Sequence, residues 1–161
     1  MICAFTGHRP RSLPWGSRED DPRCEALKML IHSAVGQAAD RGFRHFLCGM
    51  ALGCDTYFAE SVLEWKQSKP DLILEAVIPC PGQADRWSEK DRTRYGRLLQ
   101  QCDMLTVLED SYSDGCMLRR NRSMIDRAEL LISVYDGSGS GTGNTVQYAK
   151  ERGLEILSLW L

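Results

Sequence analysis

Tyr135-Asp136-Gly137-Ser138-Gly139-Ser140-Gly141-Thr142-Gly143-Asn144-Thr145 follows an apolar run, Leu130 to Tyr135, and leads into a helix-like segment that ends near Gly153. Strand, glycine turn and helix in that order make a candidate phosphate cradle. Alternating glycines leave no Cβ to hold a ligand away from the backbone, and the helix behind them presents unpaired N–H groups and a partial positive charge. Thr142 and Asn144 fall in its first turn. A Gly/Ser run between two apolar elements is also the pattern of a flexible turn. Two other strand-to-helix junctions favour the cradle.

The first follows Ile2 to Phe5, a short buried strand that Thr6-Gly7-His8-Arg9-Pro10 brings to a stop. Arg11 to Pro22, with Pro14 and Gly16 among charges, reads as an exposed loop able to cover a site. From Ala26, Leu27, Leu30, Ile31, Ala34, Val35 and Ala38 repeat at helical spacing. The second junction, Gly49-Met50-Ala51-Leu52-Gly53-Cys54-Asp55, joins the strand His45 to Cys48 to a helix with Phe58, Val62 and Trp65 on one side.

Leu72 to Ile78 is a third strand, Gln83 to Gln101 a charged helix with Tyr95, Leu98, Leu99 and Cys102 inward, and Met104 to Leu108 a fourth strand. A helix then carries Arg119, Arg120, Arg122 and Arg127, with Met117, Asn121, Met124, Ile125 and Ala128 on its inner side. Leu130 to Tyr135 is the fifth strand. A helix with Val146 and Ala149 inward and a strand from Glu155 to Leu159 complete the chain. Short apolar strands alternating with helices predict an α/β fold whose parallel sheet is covered on both faces. Ligands of such sheets bind beyond the carboxyl ends of the strands, the edge on which all three glycine junctions fall.

A chain of 161 residues suits one domain, spanning 1–161, with a single core. Its net charge of −2 gives no general attraction to nucleic acid or an anionic membrane. Seven scattered cysteines without a C-x-x-C pair argue against a disulfide framework and a zinc site, and fit a reducing cytoplasm. No metal is expected. The N-terminus has no secretory pattern, and no apolar run approaches the roughly 20 residues of a membrane helix.

The candidate site residues come from these junctions. Thr6 and Arg9 can hold phosphate or ribose oxygens, Gly7 permits the turn, and His8 is either a ligand donor and proton shuttle or a hydrogen-bonded structural residue. Gly49, Met50, Ala51 and Gly53 form the second turn, where Asp55 serves as a helix cap or takes a ribose hydroxyl. Glu60 is a weaker candidate acid or base.

Arg120, three or four residues from Met117 and Met124, shares their side of the helix. A basic helical face is usually solvated surface, as expected of its neighbours, but one arginine turned toward the strand-end crevice would suit a phosphate. Asp136 binds ribose or caps the glycine turn formed by Gly137, Gly139 and Gly141. Trp87 and Tyr95 either stack on a base or pack. Neither glycine turn matches the dinucleotide fingerprint or the Lys-Ser/Thr phosphate loop, so ordinary dehydrogenase and ATPase chemistry is unsupported.

Thr6 to Pro10, Gly49 to Asp55, Met117-Leu118-Arg119-Arg120-Asn121-Arg122-Ser123-Met124 and Tyr135 to Thr145, taken in order, resemble the YpsA-like family of the SLOG superfamily over nearly the whole chain. That superfamily also holds the DNA-processing protein DprA and the LOG phosphoribohydrolases. The resemblance implies a three-layer α/β/α Rossmann-like fold with a mostly parallel sheet of about six strands. It also implies a pocket for a nucleotide-derived ligand such as ADP-ribose, NAD or a nucleoside phosphate; no further cofactor is named by the sequence.

In the similar LOG enzymes an arginine and a glutamate act in cleaving an N-glycosidic bond. Arg120 falls on that arginine, but the glycine turn here carries an amide, Asn144, and no carboxylate, so such chemistry would need Asp55, Glu60 or Asp136. DprA binds single-stranded DNA. This chain lacks its basic charge and any evident run of exposed aromatics, so nucleic acid is not the expected partner. A homo-oligomer is compatible with the sequence.

Overall fold

A computed structural model describes residues 1–161. Six strands, β1 (Ile2–Gly7), β2 (His45–Cys48), β3 (Ile73–Ile78), β4 (Met104–Val107), β5 (Leu130–Val134) and β6 (Glu155–Leu159), alternate with five helices, α1 (Pro22–Asp40), α2 (Cys54–Lys66), α3 (Glu89–Gln101), α4 (Cys116–Arg127) and α5 (Gly141–Glu151). Every strand pair is parallel, and the order across the sheet is β4-β3-β2-β1-β5-β6. This is a three-layer Rossmann-like sandwich.

The period of two along each strand divides the core between two faces. Cys3, Phe5, Phe46, Cys48, Leu74, Ala76, Leu130 and Ile132 point to the side covered by α1, α2 and α3, while Ala4, Leu47, Val77 and Leu131 meet Met124 and Ile125 of α4 and Val146 and Ala149 of α5. Buried continuously on both faces, the central strands therefore read as unbroken apolar runs.

Strand order reverses at β1. The chain lays β2, β3 and β4 outward on one side, then returns through α4 to place β5 on the other. β1 is followed by a helix on one face and β5 by a helix on the opposite face, which opens a crevice beyond their carboxyl ends.

Capping residues set two helix starts that hydrophobic spacing alone misplaces. α1 begins at Pro22 rather than Ala26 because Asp21 accepts the Arg23 N–H at 2.8 Å and proline suits the first helical position. α3 begins at Glu89 rather than Gln83 because Ser88 caps it, accepting the Asp91 N–H at 3.2 Å. Within α3 only Leu98 is fully buried, and Tyr95, Leu99 and Cys102 pack partly buried against the core.

The segment expected to be an exposed loop after Arg11 is instead anchored, with Leu13 and Trp15 each only 5% exposed in the main core. β1 also runs on to Gly7, paired with Val134, where a stop had been expected at Thr6. At the sheet edge β4 is not covered on both faces: Met104, Leu105 and Val107 are exposed. Six cysteines are buried, Cys102 is partly so, and all seven are free. No helix is long and apolar enough to cross a membrane.

One polar cluster holds α4 in register. Glu75, fully buried on β3, accepts both terminal nitrogens of Arg127 at 2.7 and 2.8 Å and the Thr106 hydroxyl at 2.7 Å, with the His45 ring at 2.7 Å. The Arg127 guanidinium is the main reason its carboxyl falls to about 2. Arg120 lies seven residues earlier, two turns along the same side of the helix, so this clamp also turns Arg120 toward the sheet.

Candidate functional site

The first, second and fifth strand ends meet at one cleft of about 530 Å³. Thr6, Gly7, His8 and Arg9 line it from β1, Ala51 and Asp55 from the β2 turn, and Gly139, Ser140, Gly141, Thr142 and Asn144 from the loop after β5. α4 closes the remaining side with Met117, Leu118, Arg120 and Asn121.

The junctions touch because they are built from glycine. A Cβ on Gly7 would lie 2.6 Å from the Cβ of Cys54, and one on Gly53 would lie 2.9 Å from the His8 carbonyl, which accepts the Cys54 N–H at 3.2 Å. Gly53 also has φ +84°, a region open to glycine. These two glycines serve close backbone packing rather than ligand approach.

Arg120 is 2% exposed. Its Nη1 donates to the carbonyls of Gly49 and Val77 and to Oε1 of Gln83, and its Nε donates to Oδ1 of Asn121 at 2.7 Å. All four acceptors are neutral, and Nη2 takes part in none of these bonds. Burial pulls the guanidinium below its ordinary value, with the charge of Asp55 acting the other way and that of Arg9 reinforcing it. The cleft thus holds a buried cation with an unused donor nitrogen.

Arg9 adds a second guanidinium, whose Nη2 donates to the Met117 sulfur at 2.7 Å rather than to a carboxylate. Arg11 stands beside it on the cleft wall. Against these three cations the lining sets one carboxylate, Asp55, so the cleft is electropositive although the chain as a whole is not.

The loop after β5 contributes amides. Ser140 caps α5 by accepting the Gly143 N–H at 3.1 Å, and the Asn144 N–H goes to the Ser140 carbonyl, which leaves the N–H groups of Gly141 and Thr142 free at the helix start. Nothing lies within 4 Å of where a Cβ would stand on Gly139 or Gly141. Open glycines, free amides, a helix N-terminus and the Arg9 and Arg120 cations form the chemistry of an anion site.

Asp55 is 7% exposed and accepts the Ala51 N–H at 3.0 Å, which folds the β2 turn around the residue that had been expected to cap the helix or face a ribose. Burial raises its carboxyl above the ordinary value, with Arg120 and the Ala51 amide opposing the shift. A carboxyl raised on folding stabilises the folded chain while protonated. That contribution is complete below the unfolded value of about 3.9 and is lost as pH rises through the folded value. Asp55→Asn, which keeps an acceptor for Ala51, is expected to raise stability near neutral pH and to flatten its fall between acid and neutral pH in urea unfolding. An unaltered pH profile would contradict this.

The remaining candidates are held in structural contacts at the cleft's edge or stand outside it. The His8 ring is 1% exposed, packs against Tyr135 and Trp160, and meets Asp136 through Nε2, which lies 3.0 Å from Oδ1 and 3.1 Å from the Asp136 amide nitrogen. Asp136 also accepts the amide and hydroxyl of Ser138; the hydroxyl bond is the main reason its carboxyl falls to about 2. His8 and Asp136 therefore tie the β1 and β5 ends together, with Gly137 at φ +90° completing that turn behind the cleft.

Gly49 lies beneath Arg120, since a Cβ there would be 2.6 Å from its Cζ, and Met50 and Gly53 open to the far side of their turn. Glu60 is away from the cleft, paired with Arg94 at 2.6 Å. Trp87 and Tyr95 line a separate cavity. Gln83, Arg11 and Ser140 were not anticipated. Ser140, three residues before Gly143, had a capping signal, whereas nothing local marked Gln83, whose partners lie 34 and 37 residues away.

The family model for YpsA, described as the YspA SLOG family, matches residues 3–155. A UPF0398 protein of Bacillus cereus (strain B4264) is 27% identical over 155 residues, covering 94% of this chain and 84% of that protein. One from Staphylococcus haemolyticus is 25% identical over 127 residues, covering 78% and 68%. Two solved structures share the fold. DNA processing protein A from Helicobacter pylori, described in its single-stranded DNA binding mode, has a TM-score of 0.67 at 18% identity over 100% of this chain, and DprA from Streptococcus pneumoniae has 0.64 at 17% over 98%. The chain spans 66% of the first of these and 49% of the second.

Proposed function

The chain belongs to the YspA SLOG family, and on that footing we propose that its strand-end cleft binds the phosphate of a small nucleotide-derived ligand, of the AMP, ADP-ribose or NAD kind. The observation that carries this reading is Arg120. A guanidinium withdrawn from water without a hydrogen-bonded carboxylate costs several kcal/mol, roughly, and an anion at its unused nitrogen offsets that loss. Such an anion would lie between Arg120 and Arg9 on one side and the free amides of Gly141 and Thr142 on the other. Thr6, Thr142 and Asn144 then offer neutral donors and acceptors to a ribose.

Thermal unfolding with AMP, ADP-ribose and NAD tests it. A ligand at one hundred times its dissociation constant stabilises the folded chain by about 2.7 kcal/mol, and the midpoint rises with ligand concentration. Midpoints that stay fixed with all three ligands at saturating concentration would overturn the reading.

A second reading has its own observation: the raised carboxyl of Asp55 lines the same cleft as Arg120. A carboxyl whose proton affinity is raised by burial is the direction that general-acid catalysis on the leaving base of a nucleoside phosphate needs, so an N-glycosidic hydrolase is the alternative activity. Released base measured by chromatography, with Arg120→Ala as control, decides between binding and cleavage.

The expectation against nucleic acid does not stand as an exclusion. The Helicobacter pylori protein of the same fold binds single-stranded DNA, and a phosphate subsite would accept a strand's backbone as well. A gel shift with a single-stranded oligonucleotide at low salt separates the cases: retardation that salt abolishes, without a response to mononucleotides, would favour the strand.

A further inference from the structure

A second cavity, of about 310 Å³, lies across a ridge from the cleft. The ridge is Pro10 and the β2 turn, which touch each other where a Cβ on Gly53 would stand 3.0 Å from Cδ of Pro10. Neighbouring residues on these two segments open to opposite sides. Arg9, Ala51 and Asp55 face the electropositive cleft, while Pro10, Met50, Leu52 and Gly53 face the second cavity.

The two spaces differ in chemistry. The second is walled by Tyr57 and Leu98, both buried, and by Trp87 and Tyr95, whose rings meet edge to face at 5.1 Å and 78°. Its rim is polar. Arg94 there is engaged by Glu19 and Glu60, each at 2.6 Å, so Lys90 and Asp91 are the rim charges outside the chain's ion pairs. An apolar aromatic wall with a few free polar groups at the mouth is the make-up of a small-molecule subsite.

Gln83 connects the two. Its Oε1 accepts from Arg120 at 3.2 Å, and its amide donates to the Gly49 carbonyl at 3.2 Å and to the Tyr95 hydroxyl at 3.4 Å. The Tyr95 ring is thereby fixed with respect to the buried guanidinium of the neighbouring cleft, a wall held in place before any ligand arrives.

We propose that this cavity takes a planar heteroaromatic ring of the nucleobase kind, stacked on Trp87 with its edge toward the Tyr95 ring, and with Asp91 or Lys90 meeting the ring's polar edge. The choice of a nucleobase rests on the reading of the cleft as a nucleotide-phosphate site; the cavity itself does not.

Adenosine, which has a base and no phosphate, is the direct probe. Titrated into the full chain it is expected to quench indole fluorescence, the quench disappearing in Trp87→Phe, which keeps an aromatic ring and the fold. Trp87→Ala is expected to weaken adenosine about tenfold or more, while leaving unchanged the thermal stabilisation produced by inorganic phosphate. Absence of quenching at saturating adenosine, or equal weakening of adenosine and phosphate in Trp87→Ala, would overturn the proposal. Quenching by adenosine without any response to inorganic phosphate or AMP would uphold this cavity and remove the phosphate reading. Stabilisation by AMP and ribose 5-phosphate to the same degree, with Trp87 silent, would do the reverse.

Discussion

Arg120→Met weakens nucleotide binding by roughly 2–4 kcal/mol, a factor of about 30 to 1,000, while stability to urea changes by no more than about 2 kcal/mol. The two effects separate because burial of this guanidinium opposes folding and its bonds support it. Methionine avoids the desolvation of a charge but takes the guanidinium donor from the Val77 carbonyl and Gln83 Oε1 and leaves the Gly49 carbonyl with Gln83 alone, about 1–3 kcal/mol for a buried group. These terms act in opposite directions on stability, and neither replaces the cation that faces the ligand. Arg120→Lys is not expected to restore binding, since one ammonium cannot bond Gly49, Gln83 and Asn121 and still reach a phosphate. Calorimetric titration with AMP, paired with urea unfolding of each variant, checks both halves. Retained affinity in Arg120→Met would show that the ligand does not use this side chain.

Gly7→Ala and Gly141→Ala should behave oppositely. At Gly7 the new methyl would lie 2.6 Å from the Cys54 Cβ and 3.1 Å from two ring carbons of Phe5. Neither neighbour can swing aside without moving its backbone or a ring stacked at 4.4 Å on Phe58, so a loss of about 3 kcal/mol is expected. At Gly141 the methyl meets nothing, and alanine at a helix start adds about 0.4–1 kcal/mol of stability through the unfolded chain. Affinity for AMP should nevertheless fall about tenfold, because that methyl occupies the space from which a phosphate reaches the Gly141 and Thr142 amides. Thermal melts with and without AMP read both quantities. A Gly141→Ala chain that binds as before would place the ligand off the loop.

Much of this architecture could be read from local pattern. β1, β2, β3 and β5 are buried on both faces, so their apolar runs are unbroken, and the glycine turns after three of them lie on one edge by the geometry of a parallel sheet. Elements governed by distant partners were not legible. Leu13 and Trp15 alternate with Pro14 and Gly16, a composition that signals loop, and only packing against the finished core explains their burial. Glu60 looked available as an acid or base until Arg94, 34 residues away, was seen to hold it.

In the candidate site the same division holds. Arg120 could be placed inward from its spacing to Met117 and Met124, but that its hydrogen bonds all go to neutral acceptors depends on the β2 turn and Gln83. His8 and Asp136 each had a structural and a functional reading, and their mutual contact, across 128 residues of sequence, gives each a structural partner. The exposed face of β4 follows from its place at the edge, which strand order alone determines.

Amide chemical shifts followed by nitrogen-15 NMR during titration with AMP test the central claim most directly. The account predicts that the Gly139, Gly141 and Thr142 amides and the Arg9 and Arg120 guanidinium signals move together and saturate at one ligand concentration, with the helix α5 amides beyond Val146 unmoved. Saturating AMP that leaves those loop amides where they were, or shifts only residues on the far side of the sheet, would contradict it.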